Sequence, residues 1–178
     1  MDRFSEKESR INNCRILWQD IFGDSNEYIE HFIDRYYCNS NMLSIESNGN
    51  LLSMLHIIPF SYHHFKVGYI FAVATHPEAR CRGYATRLIN DSIAVAKERG
   101  YDALSLIPAS AALYDYYTRF GFSGKYKVTF LLPDDFSFNS DTPQEDRIAL
   151  LPLSERFTTP ADDSTIELKW EGCSKEEK

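Results

Sequence analysis

The stretch from Tyr69 to Ile107 limits this chain's fold more than any other. Tyr69–Thr75 is a short apolar run that stops ahead of Pro77. Ala85–Arg99 then places Ala85, Leu88, Ile89, Ile93 and Ala96 on one helical face, with Lys97 and Arg99 at its end and Gly100 closing it. A second apolar run, Ala103–Ile107, follows. Strand, helix and strand at this spacing form a β-α-β crossover, which demands parallel pairing and a right-handed connection. The join between the first strand and the helix reads Arg80-Cys81-Arg82-Gly83-Tyr84-Ala85. The first amides of a helix lack partners within it, and the helix dipole puts partial positive charge there. A glycine lets an anion come close to the backbone. This turn therefore reads as a site for a pyrophosphate-bearing ligand.

The flanks complete a mixed α/β pattern. Glu6–Phe22 is apolar at helical spacing, and Asp24-Ser25-Asn26-Glu27 has the form of a capping box opening a helix over Ser25–Tyr37. Asn41–Ser47 and Leu51–Phe60 flank Asn48-Gly49-Asn50, a hairpin signal because Asn and Gly tolerate positive φ. Ser61–Gly68 reads as a connection. Ser110–Phe120 is a helix closed by Gly121, and Gly124–Leu132 alternates as a strand. Arg147–Leu153 and Thr165–Trp170 are two candidates for the last strand. Residues 1–170 read as one domain, and 171–178 as a charged tail.

Bulk properties exclude several function classes. The 178 residues suffice for a hydrophobic core. A net charge of −7 argues against nucleic acid as a partner, since a phosphate-backbone binder needs a basic face. No apolar run is long enough to cross a bilayer, and the N-terminal residues lack a secretory signal's apolar core, so no membrane partner and a cytoplasmic location are expected. Cys14, Cys38, Cys81 and Cys173 show no metal-binding spacing and are expected as free thiols, with no metal bound.

Arg80, Gly83 and Ala85 fit the three fixed positions of the acyl-coenzyme A signature Q/R-x-x-G-x-G/A, and Tyr117-Thr118-Arg119-Phe120-Gly121-Phe122 is similar to a Y-x-x-x-G-F helix ending. With the intervening elements, the span from Tyr69 to Phe130 resembles the GNAT (GCN5-related) N-acetyltransferases. The run from Val73 through Gly83 and the Phe-Gly-Phe ending also resemble the enhanced-intracellular-survival branch. That branch's terminal base and extra domains have no counterpart here. The resemblance implies a central mixed sheet with helices on both faces and two parallel strands that splay apart. It implies acetyl-CoA as co-substrate. The amides of Cys81, Arg82, Gly83, Tyr84, Ala85 and Thr86 would cradle its pyrophosphate, with Arg80 and Arg82 adding charge. The backbone of Val73, Ala74 and Thr75 would pair with the pantetheine arm, and the Val73 N–H would face the thioester oxygen.

Tyr117 falls at the Y of the helix ending and is the expected catalytic acid, a phenol that is protonated at neutral pH. Leu113, Tyr116, Tyr117 and Phe120 share a helical face, so core packing is the competing reading. The base is not fixed by the residues. His56, His63, His64, His76 and Glu46 all qualify, His56 foremost, and water would also serve. The expected activity is N-acetyl transfer to a primary amine by direct attack in a ternary complex. The acceptor is a small molecule or a peptide or protein amine. A non-catalytic acyl-CoA-binding module that signals to a partner is the alternative.

Overall fold

The computed structural model describes residues 3–138, 147–161 and 163–172. The charged tail expected from Cys173 onward lies outside them. The elements run α1 (Arg3–Phe22), α2 (Asn26–Arg35), β1 (Met42–Ser47), β2 (Asn50–Tyr62), β3 (Phe65–Thr75), α3 (Tyr84–Glu98), β4 (Ala103–Leu106), α4 (Ala111–Thr118), β5 (Ser123–Leu131), β6 (Ile148–Pro152) and β7 (Thr165–Trp170). The seven strands are ordered β1-β2-β3-β4-β6-β5-β7, with a further pairing of β2 to β7. β3 and β4 are parallel, as the crossover requires, and β5 and β7 are parallel as well. The remaining registered pairs, β1–β2, β4–β6, β5–β6 and β2–β7, are antiparallel.

Two expectations change. β3 begins at Phe65, not Tyr69, because the chain turns at His63-His64 and pairs back at once. His63 adopts φ 53°, a left-handed value that histidine reaches more readily than most non-glycine residues. Both candidates for the last strand are strands, β6 and β7. The expectation of free thiols also fails. Cys38 is disulfide-bonded, while Cys14 and Cys81 are free.

The chain forms two compact units. The first holds residues 3–57 and 72–92. Ser25 caps α2 by accepting the Tyr28 N–H, and the helix buries Ile29, Phe32 and Ile33. Trp18 of α1 meets Phe32 with ring centroids 4.8 Å apart. The Arg10 guanidinium donates to Asn39 Oδ1 at 2.8 Å and to the Met42 carbonyl at 2.7 Å, which ties α1 to the start of β1.

The second unit holds Ile58–Phe71 and Ile93–Gly172. Its core is aromatic. Phe60, Tyr69, Phe130 and Phe138 are mutually within 5.0–6.2 Å, centroid to centroid. The buried Asp102 carboxylate, just ahead of β4, gathers the loops. It accepts from Arg156 Nη2 at 2.8 Å, Ser154 Oγ at 2.7 Å and the Lys66 N–H at 2.9 Å. Arg156 foremost, then Ser154 and the Lys66 amide, hold this carboxyl well below the usual range against the opposing cost of burial. Its ionised form is therefore favoured by folding, and the stabilisation is present above the unfolded carboxyl's pKa and fades as pH falls through that range. Asp102→Ala strands the Lys66 N–H and frees the loop. It should lower unfolding free energy by about 1–3 kcal/mol, measured by urea denaturation at neutral pH. A change near zero would show that these bonds add nothing to stability.

Candidate functional site

The turn after β3 is built from backbone conformation. His76 follows the strand and donates its N–H to the Leu52 carbonyl at 2.9 Å. Its Nδ1 accepts the Glu78 N–H at 3.3 Å, capping a single 3-10 turn over Pro77–Ala79. Next, φ is −65° at Arg80, 60° at Cys81 and 78° at Gly83. Arg80 is extended, with ψ 162°, and the left-handed Cys81 and Gly83 that follow curl the backbone, as in turns whose N–H groups make an anion-binding hollow. Helix α3 starts at Tyr84, and its ladder opens with the Arg87 N–H on the Gly83 carbonyl at 2.9 Å. Arg80, Cys81, Arg82, Gly83 and Thr86 are exposed, with Tyr84 and Ala85 half-buried. A Cβ built on Gly83 meets no atom within 4 Å. Space stands open above this glycine, where an anion could touch backbone.

Of the other expected binding residues, Ala74 is buried, while Val73 and Thr75 are half-buried. The Ala74 carbonyl accepts from Ser53 Oγ at 2.8 Å, and Ser53 Oγ also meets Thr75 Oγ1 at 2.8 Å. Arg80 Nε donates back to the Thr75 carbonyl at 3.3 Å, so this arginine braces the strand end as well as carrying charge. Just before Val73, Ala72 has φ 51° within β3. A non-glycine in this conformation inside a strand is uncommon and departs from regular strand geometry. The parallel register of β3 with β4 comprises Val67–Ala103, Gly68–Leu104 and Tyr69–Ser105, although β3 runs on to Thr75.

A cleft of about 420 Å³ lies beside the turn, and no residue pattern announces it. Ile16 and Asp20 of α1, Leu52 of β2, and Glu78 and Arg82 are among its lining residues. Ile16 is half exposed there, although its helical spacing groups it with core residues.

Tyr117 belongs to the second unit. Only 7% of it is exposed, in T-shaped contact with Tyr116 and Phe122. Burial first, then Tyr116, pushes its pKa up to about 12, which keeps the phenol protonated. The rest of the aromatic stripe is not core. Leu113 is exposed, and Tyr116 and Phe120 are only partly covered.

The foremost base candidate is withdrawn. His56 is fully buried, its Nε2 lies 3.8 Å from Cys14 Sγ, and the rings of Trp18, Phe32 and Tyr37 stand within 5.0–6.0 Å. Its Nδ1 has no hydrogen-bond partner among the described residues. Burial, aided by Arg10, lowers its pKa to about 3, and burial pushes the Cys14 thiol up to about 12. A histidine sealed in this way cannot reach an acceptor. Glu46, His63 and His64 are exposed, and His76 uses Nδ1 as a cap. Among the described residues no cluster of His, Cys, Asp or Glu could hold a metal ion, and no helix is long and apolar enough to cross a membrane.

Residues 5–124 match a family model described as an acetyltransferase (GNAT) domain. No curated protein matches the chain. Among solved structures, the GNAT family N-acetyltransferase YhbS of Escherichia coli, in complex with CoA, is 13% identical with a TM-score of 0.63, covering 90% of this chain and 84% of its own. A GNAT family acetyltransferase of Brucella melitensis, in complex with acetyl-CoA, is 15% identical with a TM-score of 0.56, covering 91% and 90%. N-acetylglutamate synthase of Neisseria gonorrhoeae, complexed with CoA and N-acetyl-glutamate, is 21% identical with a TM-score of 0.50, covering 79% of this chain and 31% of that one. At these identities the likeness is one of fold.

The buried His56 makes a pH prediction. Its pKa is lowered on folding, so below the ordinary histidine value the unfolded chain binds the proton that the folded chain refuses. Stability from this group is full above about pH 6.5 and lost as pH falls below it. Between pH 7 and pH 5 the wild type should lose about 2 kcal/mol through His56 alone. His56→Phe should flatten that part of the curve, measured by denaturant unfolding at both pH values. Equal slopes in the two proteins would show that His56 takes up its proton while folded.

Proposed function

The chain belongs to the GNAT acetyltransferase family and is an acyltransferase, and on that premise we propose that it moves an acetyl group from acetyl-CoA to a primary amine, the amine attacking the thioester directly in a ternary complex. The observation that carries the reading is the turn at Arg80–Gly83, with alternating φ, open space at Gly83 and a helix start behind it. Acetyl-CoA supplies the acyl group as an activated thioester. The chain's own groups do the rest. The amides of Cys81–Thr86 hold the pyrophosphate, and Arg80 and Arg82 neutralise it. Val73, Ala74 and Thr75 offer backbone to the pantetheine arm, and the Val73 N–H steadies the carbonyl oxygen as it gains charge. Tyr117 keeps a proton for the departing sulfur. With His56 sealed away, water removes the amine proton. A small amine is the favoured acceptor class, since the Neisseria enzyme named above was solved with an amino-acid derivative.

Two measurements test this. At Gly83, φ of 78° strains any side chain by about 1–2 kcal/mol, and the open surroundings add no clash. Gly83→Val should therefore stay folded while losing CoA binding in calorimetric titration. Unchanged affinity would remove the phosphate assignment. Tyr117→Phe should lower turnover by about 10²–10⁴, with acetyl-CoA affinity nearly unchanged, because the acid acts in the transition state. Turnover within about threefold of wild type would leave Tyr117 a packing residue.

A further inference from the structure

Arg10 meets acceptors around the start of β1 through both terminal guanidinium nitrogens, and the exposed Arg156 forks onto the buried Asp102. Arg147 is half-buried, and neither kind of partner is at hand for its Nη1, which is buried with no hydrogen-bond partner among the described residues. A buried charged donor without an acceptor costs stability, and a fold keeps one where an anion comes to it.

The position agrees. β6 pairs antiparallel with β4 through Leu106–Ala149, and continuing that register by two residues sets Arg147 across from Pro108. This is just past the carboxyl end of β4, where open α/β sheets receive their ligands. On the other side, β5 pairs Tyr126 with Ile148, so Lys127 is the next neighbour of Arg147. Neither flanking residue supplies a carboxylate, and Lys127 adds positive charge. Strand alternation puts Arg147 on the face of Ala149 and Leu151. Leu151 packs against Gly121, just beyond α4, the helix that carries Tyr117. A guanidinium offers a planar fork matched to a carboxylate.

We infer that Arg147 recognises a carboxylate on the acceptor, so that the substrates are primary amines bearing a carboxylate group. The inference rests on the transfer reading above. A coenzyme phosphate has the same fork-matching chemistry, but the turn at Arg80–Gly83 already provides for the pyrophosphate, which leaves Arg147 for a second anion.

The test pairs amino acids with their amides as acceptors, in wild type, Arg147→Gln and Arg147→Lys. Wild type should favour the acids. Arg147→Gln should lower kcat/KM for the acids on the order of tenfold to a hundredfold, mainly through KM. The amides should change by less than about threefold, and Arg147→Lys should recover part of the loss by restoring charge. Calorimetry with CoA and dephospho-CoA should give wild-type affinities in every variant. Equal loss for acids and amides would overturn the inference, as would wild-type indifference between them. Weaker binding of CoA but not dephospho-CoA would overturn it too, by giving Arg147 to the coenzyme's phosphate. If Arg147→Gln fails to fold, the wild-type preference and the lysine variant still decide. Turnover of amides and acids alike sinks this inference alone, whereas turnover of no amine sinks the transfer reading with it.

Discussion

The sign of φ at Cys81 and Gly83 is the constraint on which the candidate site depends. Between the end of β3 and the start of α3 the backbone must reverse. Left-handed φ at Cys81 and Gly83 makes that reversal, and α3 adds the positive end of its dipole behind it. Neighbouring contacts hold this arrangement: His76 caps the short 3-10 turn, and Arg80 is tethered to the Thr75 carbonyl. Of the two left-handed residues, only Gly83 adopts its conformation without side-chain strain. Cys81 must be held there by its surroundings.

Buried polar side chains serve opposite ends in this protein. Asp102 is surrounded by donors, so burial strengthens its bonds and loop and sheet are fixed together. His56 has the reverse environment, with aromatic rings and a thiol around it and one ring nitrogen unmatched. Folding keeps it neutral and excludes it from chemistry. The contrast explains why residue type alone misled the search for a base. Histidine is versatile only where water or a partner can reach it.

Much of the fold could be read from residues. The β-α-β crossover followed from apolar runs and their lengths, and the helix start followed from Gly83 and the arginines, because these patterns are local. The start of β3 could not be read, since the His63-His64 turn uses residues without a turn preference. The left-handed φ of Ala72 was equally silent, since alanine rarely adopts it. Strand order beyond β4 was hidden too, because β6 inserts between β4 and β5 by long-range pairing. The solitary state of Arg147 and the sealed state of His56 are facts of packing, and no sequence spacing encodes them.

Within the second unit the strand order returns to its start, since β7 pairs both with β5 and with Phe60 and Ser61 of β2. The closing contact joins Ser61 to Lys169, 108 positions apart. During synthesis the end of β2 at Phe60 and Ser61 therefore waits for its partner until Thr165–Trp170 has been made. Contacts this distant in sequence make folding slow, because the loop must close before its pairing is gained. A nascent chain halted before Thr165 would leave Phe60 and Ser61 of β2 and one side of β5 open to pairing with other copies. Strand β7 thus guards the protein against aggregation.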